Sequence, residues 1–338
     1  MRSGRNSTPD PHCQAPQPLA GGASHAAGRN PCYRGRFAPS PTGDLHFGSL
    51  VTAVASYLDA RSVGGQWLVR IENLDPPREV PGSADNILRT LEAFGFRWDG
   101  AVLYQSDRAH FYQEVINNLI GARLAYPCAC SRRELAGSAK PGIDGPVYPG
   151  NCRKGLPPDR EGRAVRLLTD DDEISFEDRI QGQCGQRLES EIGDFVILRA
   201  DGYFAYQLAV VVDDQEQAIS DVVRGCDLLH STARQIHLQR TLAYSRPRYA
   251  HIPLALDAQG RKLSKQDAAH PVDGRNPLPA LRMALEFLNQ SQAPAEADTL
   301  DGIWSWALRH WNMALVPRRR SLSPDFQVPK DPQGRCHP

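Results

Sequence analysis

From Tyr33 onward the apolar positions fall into two alternating rhythms. Tyr33–Ala38 reads as a short strand, and Leu45–Arg61 (LHFGSLVTAVASYLDAR) has helical spacing with a high Ala content. Gln66–Glu72 (QWLVRIE) reads as a strand, Ser83–Phe94 as a helix with Ser83 as its N-cap, and Arg108–Leu124 as another helix. Strand, helix, strand, helix predicts a parallel α/β sheet. Near Tyr126 the rhythm breaks. Pro, Gly and Cys punctuate 127–160, and Arg163–Thr169 and Glu173–Asp178 then read as antiparallel strands. The alternation resumes at Phe195. Phe204–Val212 (FAYQLAVVV) reads as a buried strand, Ser231–Tyr244 as a helix and His251–Leu256 as strand-like. Pro279–Asn289 and Leu300–Asn312 read as helices, with Trp304, Trp306 and Trp311 as packing residues. Residues 1–32 are rich in Pro, Gly, Ser and Ala and, like 317–338, read as a disordered tail.

The pattern therefore predicts an α/β domain split by a small Cys-bearing insertion and followed by a helical C-terminal part. Its halves would span 33–125 and 193–250, around an insertion at 126–192, with a last folded region at 251–316. Composition narrows the class further. No run approaches the ~18 apolar residues of a membrane helix. The first 32 residues lack the ~7–15-residue apolar core of a secretory signal, so a cytoplasmic protein is expected. Eight Cys in 338 residues are too sparse for a disulfide scaffold. With 39 basic and 39 acidic residues, no global basic excess argues for nucleic acid. Only five of the basic residues are Lys, however, and two of these, Lys262 and Lys265, stand three apart.

Two stretches suggest phosphate chemistry. In Arg36–Leu50 (RFAPSPTGDLHFGSL) a strand gives way to a stiff Pro-Ser-Pro-Thr-Gly loop, and His46 and Gly48 open the next helix. Helix N-termini present free N–H groups to an anion, and His46 can add a hydrogen bond. The alternative is a plain turn with a solvated His. In Arg261–Gln266 (RKLSKQ), two ammonium groups follow a turn and suit the polyphosphate of ATP. A third cluster is C-x-C-x17-Y-x3-C, formed by Cys128, Cys130, Tyr148 and Cys152. Three thiolates and one further ligand, either Tyr148 or water, would complete a tetrahedral Zn²⁺ site. Cys13, Cys32, Cys184, Cys226 and Cys336 read as reduced thiols.

His46–Ser49 and Lys262–Gln266 resemble the HIGH and KMSKS signatures of class I aminoacyl-tRNA synthetases, and the string RFAPSPTG…HFGS…RIEN is similar to the glutamyl-tRNA synthetase family. The resemblance covers nearly all of 33–316. It implies a Rossmann-like catalytic domain. It also implies a structural zinc on the four Cys/Tyr positions, and ATP with Mg²⁺ at His46, Gly48, Lys262, Ser264 and Lys265. Of these, His46 and Lys265 would stabilise charge during catalysis. Glutamate would be bound by Arg36, Phe37, Ala38, Pro39, Ser40, Glu72, Tyr206 and Arg224. Taken singly, Glu72 and Arg224 read equally as structural ion pairs and Tyr206 as core. Family members usually carry Asp after Glu72, whereas this chain has Asn73. The ordered chain is expected to stop near Val316, without an anticodon-binding domain. The short length and the form KLSKQ resemble the members that attach glutamate to queuosine in tRNA(Asp). The expected partners are thus ATP, L-glutamate and queuosine-bearing tRNA(Asp), with the chain acting as a monomer. A truncated enzyme charging a tRNA 3′ end and a non-catalytic paralogue are the alternatives.

Overall fold

The computed structural model describes residues 33–138, 140–257, 259–261 and 271–323. The first half contains β1 (Arg34–Phe37), α1 (Phe47–Arg61), β2 (Gln66–Ile71), α2 (Ser83–Ala93), β3 (Leu103–Tyr104) and α3 (Ala109–Gly121). The middle contains β4 (Ala125–Cys128), α4 (Arg132–Ser138), the hairpin β5 (Pro141–Gly142) and β6 (Gly145–Pro146), β7 (Ala164–Leu167), β8 (Glu173–Asp178), β9 (Gly182–Arg187) and α5 (Leu188–Glu191). There follow β10 (Val196–Leu198), α6 (Tyr206–Glu216), β11 (Asp221–Gly225), α7 (Ser231–Thr241), β12 (Arg248–Ile252) and β13 (Leu254–Ala255). Last come α8 (Pro277–Phe287), α9 (Leu300–His310) and β14 (Ser321–Leu322).

The central layer is parallel, as the alternation predicts. β1 pairs with β2, β2 with β3, and β11 with β12, all parallel. The two groups meet where the Ser220 N–H donates to the Arg34 carbonyl at 3.0 Å and the Ser220 hydroxyl accepts from the Arg34 N–H at 2.8 Å. The order β3–β2–β1–β11–β12 sets all carboxyl ends along one rim, where parallel α/β sheets bind ligands. α1 is buried almost all round between this layer and helices α8 and α9. Its Ala-rich sequence allows that close approach. Tyr57, Trp67, Phe96 and Trp304 form an aromatic cluster under it, with ring centroids 5.0–5.4 Å apart. A second core lies between α3, α6 and α7, and a small third one surrounds Cys128, Tyr148 and Cys152.

Three expectations need correction. Phe204–Val212 is not a strand: α6 begins at Tyr206, and Leu208–Asp214 are buried along it. A short apolar run fits either state. As a helix the run buries consecutive positions and delivers Asp214 to Arg36 of β1 and Arg70 of β2. Arg163–Thr169 and Glu173–Asp178 do contain antiparallel strands, as expected, each with its own partners. β7 lies antiparallel between β4 and β10, whereas β8 pairs with β9 and touches β12 at Tyr249↔Asp178. Ser83 is the first residue of α2 rather than its cap, which is Gly82 at φ 79°. The Ser83 hydroxyl instead donates to the Gly43 carbonyl (2.7 Å) and accepts from the Gly43 N–H (3.1 Å), so it pins the loop after β1. Finally, residues 317–323 are not a disordered tail. β14 adds to β13 through Leu254↔Ser321 and Ala255↔Leu322, and Leu322 is buried.

Candidate active site

A cavity of about 560 Å³ opens at the carboxyl rim of the parallel layer. It gathers Arg36, Phe37, Ala38, Pro39, Ser40, His46, Gly48, Glu72, Tyr206 and Arg224. These are all the sequence-proposed glutamate and ATP residues that fall within the described part of the chain. Lys262, Ser264 and Lys265 lie outside the described residues. The chain on either side of them is at the cavity nonetheless. Leu254 and Ala255 of β13 line it, and Pro271 bridges to His46, with the Val272 N–H donating to the Leu45 carbonyl at 2.9 Å. The fold thus brings the first signature segment, and the described chain that flanks the second, to one opening.

His46 caps α1. Its Nδ1 accepts from the Ser49 N–H at 3.3 Å, and its Nε2 lies 3.0 Å from the Ser49 hydroxyl. The first turn of α1 carries no acidic residue, so its positive end is not neutralised locally.

Two walls of the cavity carry buried arginines. On one, Arg36 (3% exposed) donates Nε and Nη2 to the Asp214 carboxylate at 3.1 and 3.4 Å. Arg70, fully buried, donates to Asp214 at 2.8 Å and to Glu72 at 3.4 Å. Asp213 beside it accepts from Arg108 (2.6 Å), Gln105 (2.7 Å) and Tyr112 (2.8 Å). Burial would raise the Asp214 carboxyl, but Arg36 and Arg70 hold it below the ordinary range. Glu72 goes the other way: burial pushes its carboxyl up despite Arg70 and Arg36. Arg70 meets it only at 3.4 Å, so an arriving ammonium would stabilise this carboxylate further.

On the other wall, Arg224 (4% exposed) meets only neutral acceptors: His251, Gln235, Thr232, Tyr206 and the Leu228 carbonyl. Among the described residues no carboxylate lies within ion-pair distance of it. Its charge is therefore available to a ligand carboxylate, which Arg engages through a two-pronged fork. Asn73 points away from this wall. It donates to the Ser106 hydroxyl (2.9 Å) and accepts from the Ser106 N–H (3.0 Å), tying the end of β2 to the turn before α3.

The Cys cluster forms as the spacing predicts. The Sγ atoms of Cys128, Cys130 and Cys152 lie within 4.8 Å of one another, with Cys130 and Cys152 at 3.7 Å. The Tyr148 hydroxyl stands 3.4 Å from Cys128 and 3.7 Å from Cys130. Tetrahedral Zn²⁺ with Zn–S near 2.3 Å spaces sulfurs about 3.8 Å apart, so the donor set fits that ion. Arg166 supplies a compensating cation: its Nε donates to Cys128 at 3.3 Å and its guanidinium lies 3.7 Å over the Tyr148 ring.

Sequence reasoning did not find Asp213, Asp214, Arg70, Asp178 or His251. The available signal was charge inside apolar runs: two acids close VVVDD, and a His interrupts RYAHIPLAL.

With this geometry in view, comparison with known proteins places the chain. Residues 33–277 match the class I tRNA synthetases (E and Q), catalytic domain. An aminoacyl-tRNA synthetase-type ligase is the class that fold and family define. Among solved structures, a glutamate tRNA ligase from Elizabethkingia meningosepticum in complex with its amino acid is 26% identical, with a TM-score of 0.70; the match covers 86% of this chain and 66% of that one. Closer in sequence are proteins named glutamyl-Q tRNA(Asp) synthetase. That of Chromobacterium violaceum is 56% identical over 288 residues, covering 85% of this chain and 96% of the relative. That of Dechloromonas aromatica is 57% identical over 294 residues, covering 86% and 97%. The chain belongs to the glutamyl-Q tRNA(Asp) synthetase family.

Proposed function

We propose that the protein activates L-glutamate with ATP, without requiring tRNA, and transfers the glutamyl group to the cyclopentene-diol of queuosine in the anticodon of tRNA(Asp). The carrying observation is one cavity joining a helix opening suited to phosphate with a buried guanidinium that has no acidic partner among the described residues. The glutamate side-chain carboxylate is received by Arg224 and Tyr206, and its ammonium by Glu72. Arg36 and the backbone of Phe37–Ser40 frame the α-carbon. The α-carboxylate then faces the opening of α1, where the phosphates of Mg²⁺-bound ATP rest against His46 and Gly48. A carboxylate oxygen attacks the α-phosphorus in line as the bond to pyrophosphate breaks, leaving glutamyl-adenylate. Nothing here needs a covalent enzyme intermediate; the chain positions reactants and stabilises moving charge. By their sequence pattern, Lys262, Ser264 and Lys265 contribute to that stabilisation. An acceptor hydroxyl then attacks the acyl carbon and AMP leaves. The names of the relatives support the queuosine acceptor. Cys128, Cys130, Tyr148 and Cys152 would hold a zinc whose role is to fix the insertion. The setting we assign is the cytoplasm; among the described residues no helix is long and apolar enough to cross a membrane.

Glutamate-dependent ATP–pyrophosphate exchange without tRNA tests the first step, and absence of exchange in folded, zinc-loaded protein contradicts it. Lys265→Ala should cut exchange by about 100-fold or more with the fold intact. Labelled glutamate tests the second step. Transfer to queuosine-bearing tRNA(Asp), and none to tRNA(Asp) lacking queuosine, is expected; charging of tRNA(Glu) instead would overturn the acceptor.

A further inference from the structure

All five N–H groups of Arg224 are engaged, but unequally. Three bonds are short: Nε to His251 Nε2 (2.9 Å), Nη1 to Gln235 Oε1 (2.8 Å) and Nη2 to Thr232 Oγ1 (2.9 Å). Two are long: Nη1 to the Tyr206 hydroxyl (3.3 Å) and Nη2 to the Leu228 carbonyl (3.4 Å). Tyr206 and Leu228 line the cavity, whereas His251, Gln235 and Thr232 are buried and do not. The long pair therefore marks the edge that a ligand carboxylate can take over.

What holds the other edge is built into the sheet. His251 on β12 is the register partner of Arg224 on β11. For its Nε2 to accept from Arg224, the imidazole must be neutral with its proton on Nδ1. Nδ1 lies 2.6 Å from Asp178 Oδ2, which fixes that tautomer. Asp178 Oδ1 in turn accepts from the N–H groups of Ile180 (3.0 Å), Gln181 (2.8 Å) and His251 (3.1 Å). Both side chains are fully shielded from water. Burial and the adjacent Arg224 cation lower the imidazole to about 4, against the pull of Asp178 and Asp227. Tyr249, stacked on the ring, and Thr232, 3.3 Å from Nε2, complete its surroundings. A protonated His251 would have no lone pair for Arg224 and would set a second cation beside it.

The geometry points to Asp178 and His251 as positioning residues for glutamate activation. They hold Arg224 by its Nε so that the Nη edge, its charge uncancelled, faces the amino-acid end of the cavity. The inference rests on the reading that Arg224 receives the glutamate carboxylate. The two are separable by exchange kinetics on the full, zinc-loaded chain, with glutamate and ATP titrated independently. His251→Ala should raise the KM for glutamate roughly tenfold or more while leaving the KM for ATP within about twofold. His251→Gln, whose Oε1 can still accept from Arg224, should recover most of that loss. If Arg224→Gln leaves the KM for glutamate unchanged, the underlying reading fails. If Arg224→Gln raises it and His251→Ala does not, or raises both KM values alike, the positioning role fails. A readout on the unmutated protein does not depend on any variant folding. The ¹⁵N spectrum of His251 at neutral pH should show Nδ1 protonated and Nε2 bare; a protonated Nε2 overturns the proposal.

Discussion

The two arginine walls of the cavity use the same side chain for opposite purposes. Arg36 and Arg70 share Asp214, and Arg70 also reaches Glu72, so their charges are largely cancelled inside the fold. Arg224 is equally buried, yet it is held by an imidazole, an amide, two hydroxyls and a carbonyl. Buried charge is costly unless compensated. A protein that keeps a buried cation among neutral acceptors has left the compensation to something else. That difference separates the wall that holds the fold from the wall we propose to select the ligand.

Breaking the first wall should hurt the fold most. Asp214→Asn leaves two buried guanidiniums without their shared carboxylate and is expected to lower unfolding free energy by about 3–5 kcal/mol, measurable by urea denaturation. Arg224→Gln removes a charge that has no counter-ion among the described residues and leaves neutral partners, so it should cost only about 1–2 kcal/mol while sharply raising the KM for glutamate in exchange. If the Arg224 variant is the less stable of the two, the contrast between the walls is wrong.

The pH dependence of stability sharpens the same contrast. His251 is lowered to about 4 in the fold, against ~6.5 in an unfolded chain. Between these values the unfolded chain binds a proton that the folded one does not. The contribution is complete above about pH 6.5 and lost as the pH falls toward 4, by on the order of 3 kcal/mol. His251→Gln should flatten the stability profile over this window. The smallest effect expected is that of Ser83→Ala, which unpins the loop between β1 and α1. A loss of about 1 kcal/mol, read as a lowered melting temperature, would confirm the pin.

Much of this was legible in the chain. The strand–loop–helix around His46 and the clustering of Cys128, Cys130, Tyr148 and Cys152 depend on local spacing, which a sequence displays directly. The gathering of Arg36, Glu72, Tyr206 and Arg224 came through family resemblance, since nothing local joins residues so far apart. What stayed hidden depends on pairing across the fold. The run ending in Asp213-Asp214 reads as a strand until Arg36, Arg70 and Arg108 are known to converge on those acids. His251 reads as a strand residue until the register sets it beside Arg224. β14 could not be seen, because two residues of an Arg- and Ser-rich tail gain their order only from β13.

We propose that the charge of Arg224 is reserved for the substrate's side-chain carboxylate. Its most direct test is ATP–pyrophosphate exchange by the unmutated, zinc-loaded protein, with glutamate compared against glutamine, its near-isosteric neutral amide. The account predicts exchange with glutamate and a kcat/KM for glutamine lower by about 100-fold or more. Comparable exchange with both amino acids would contradict it.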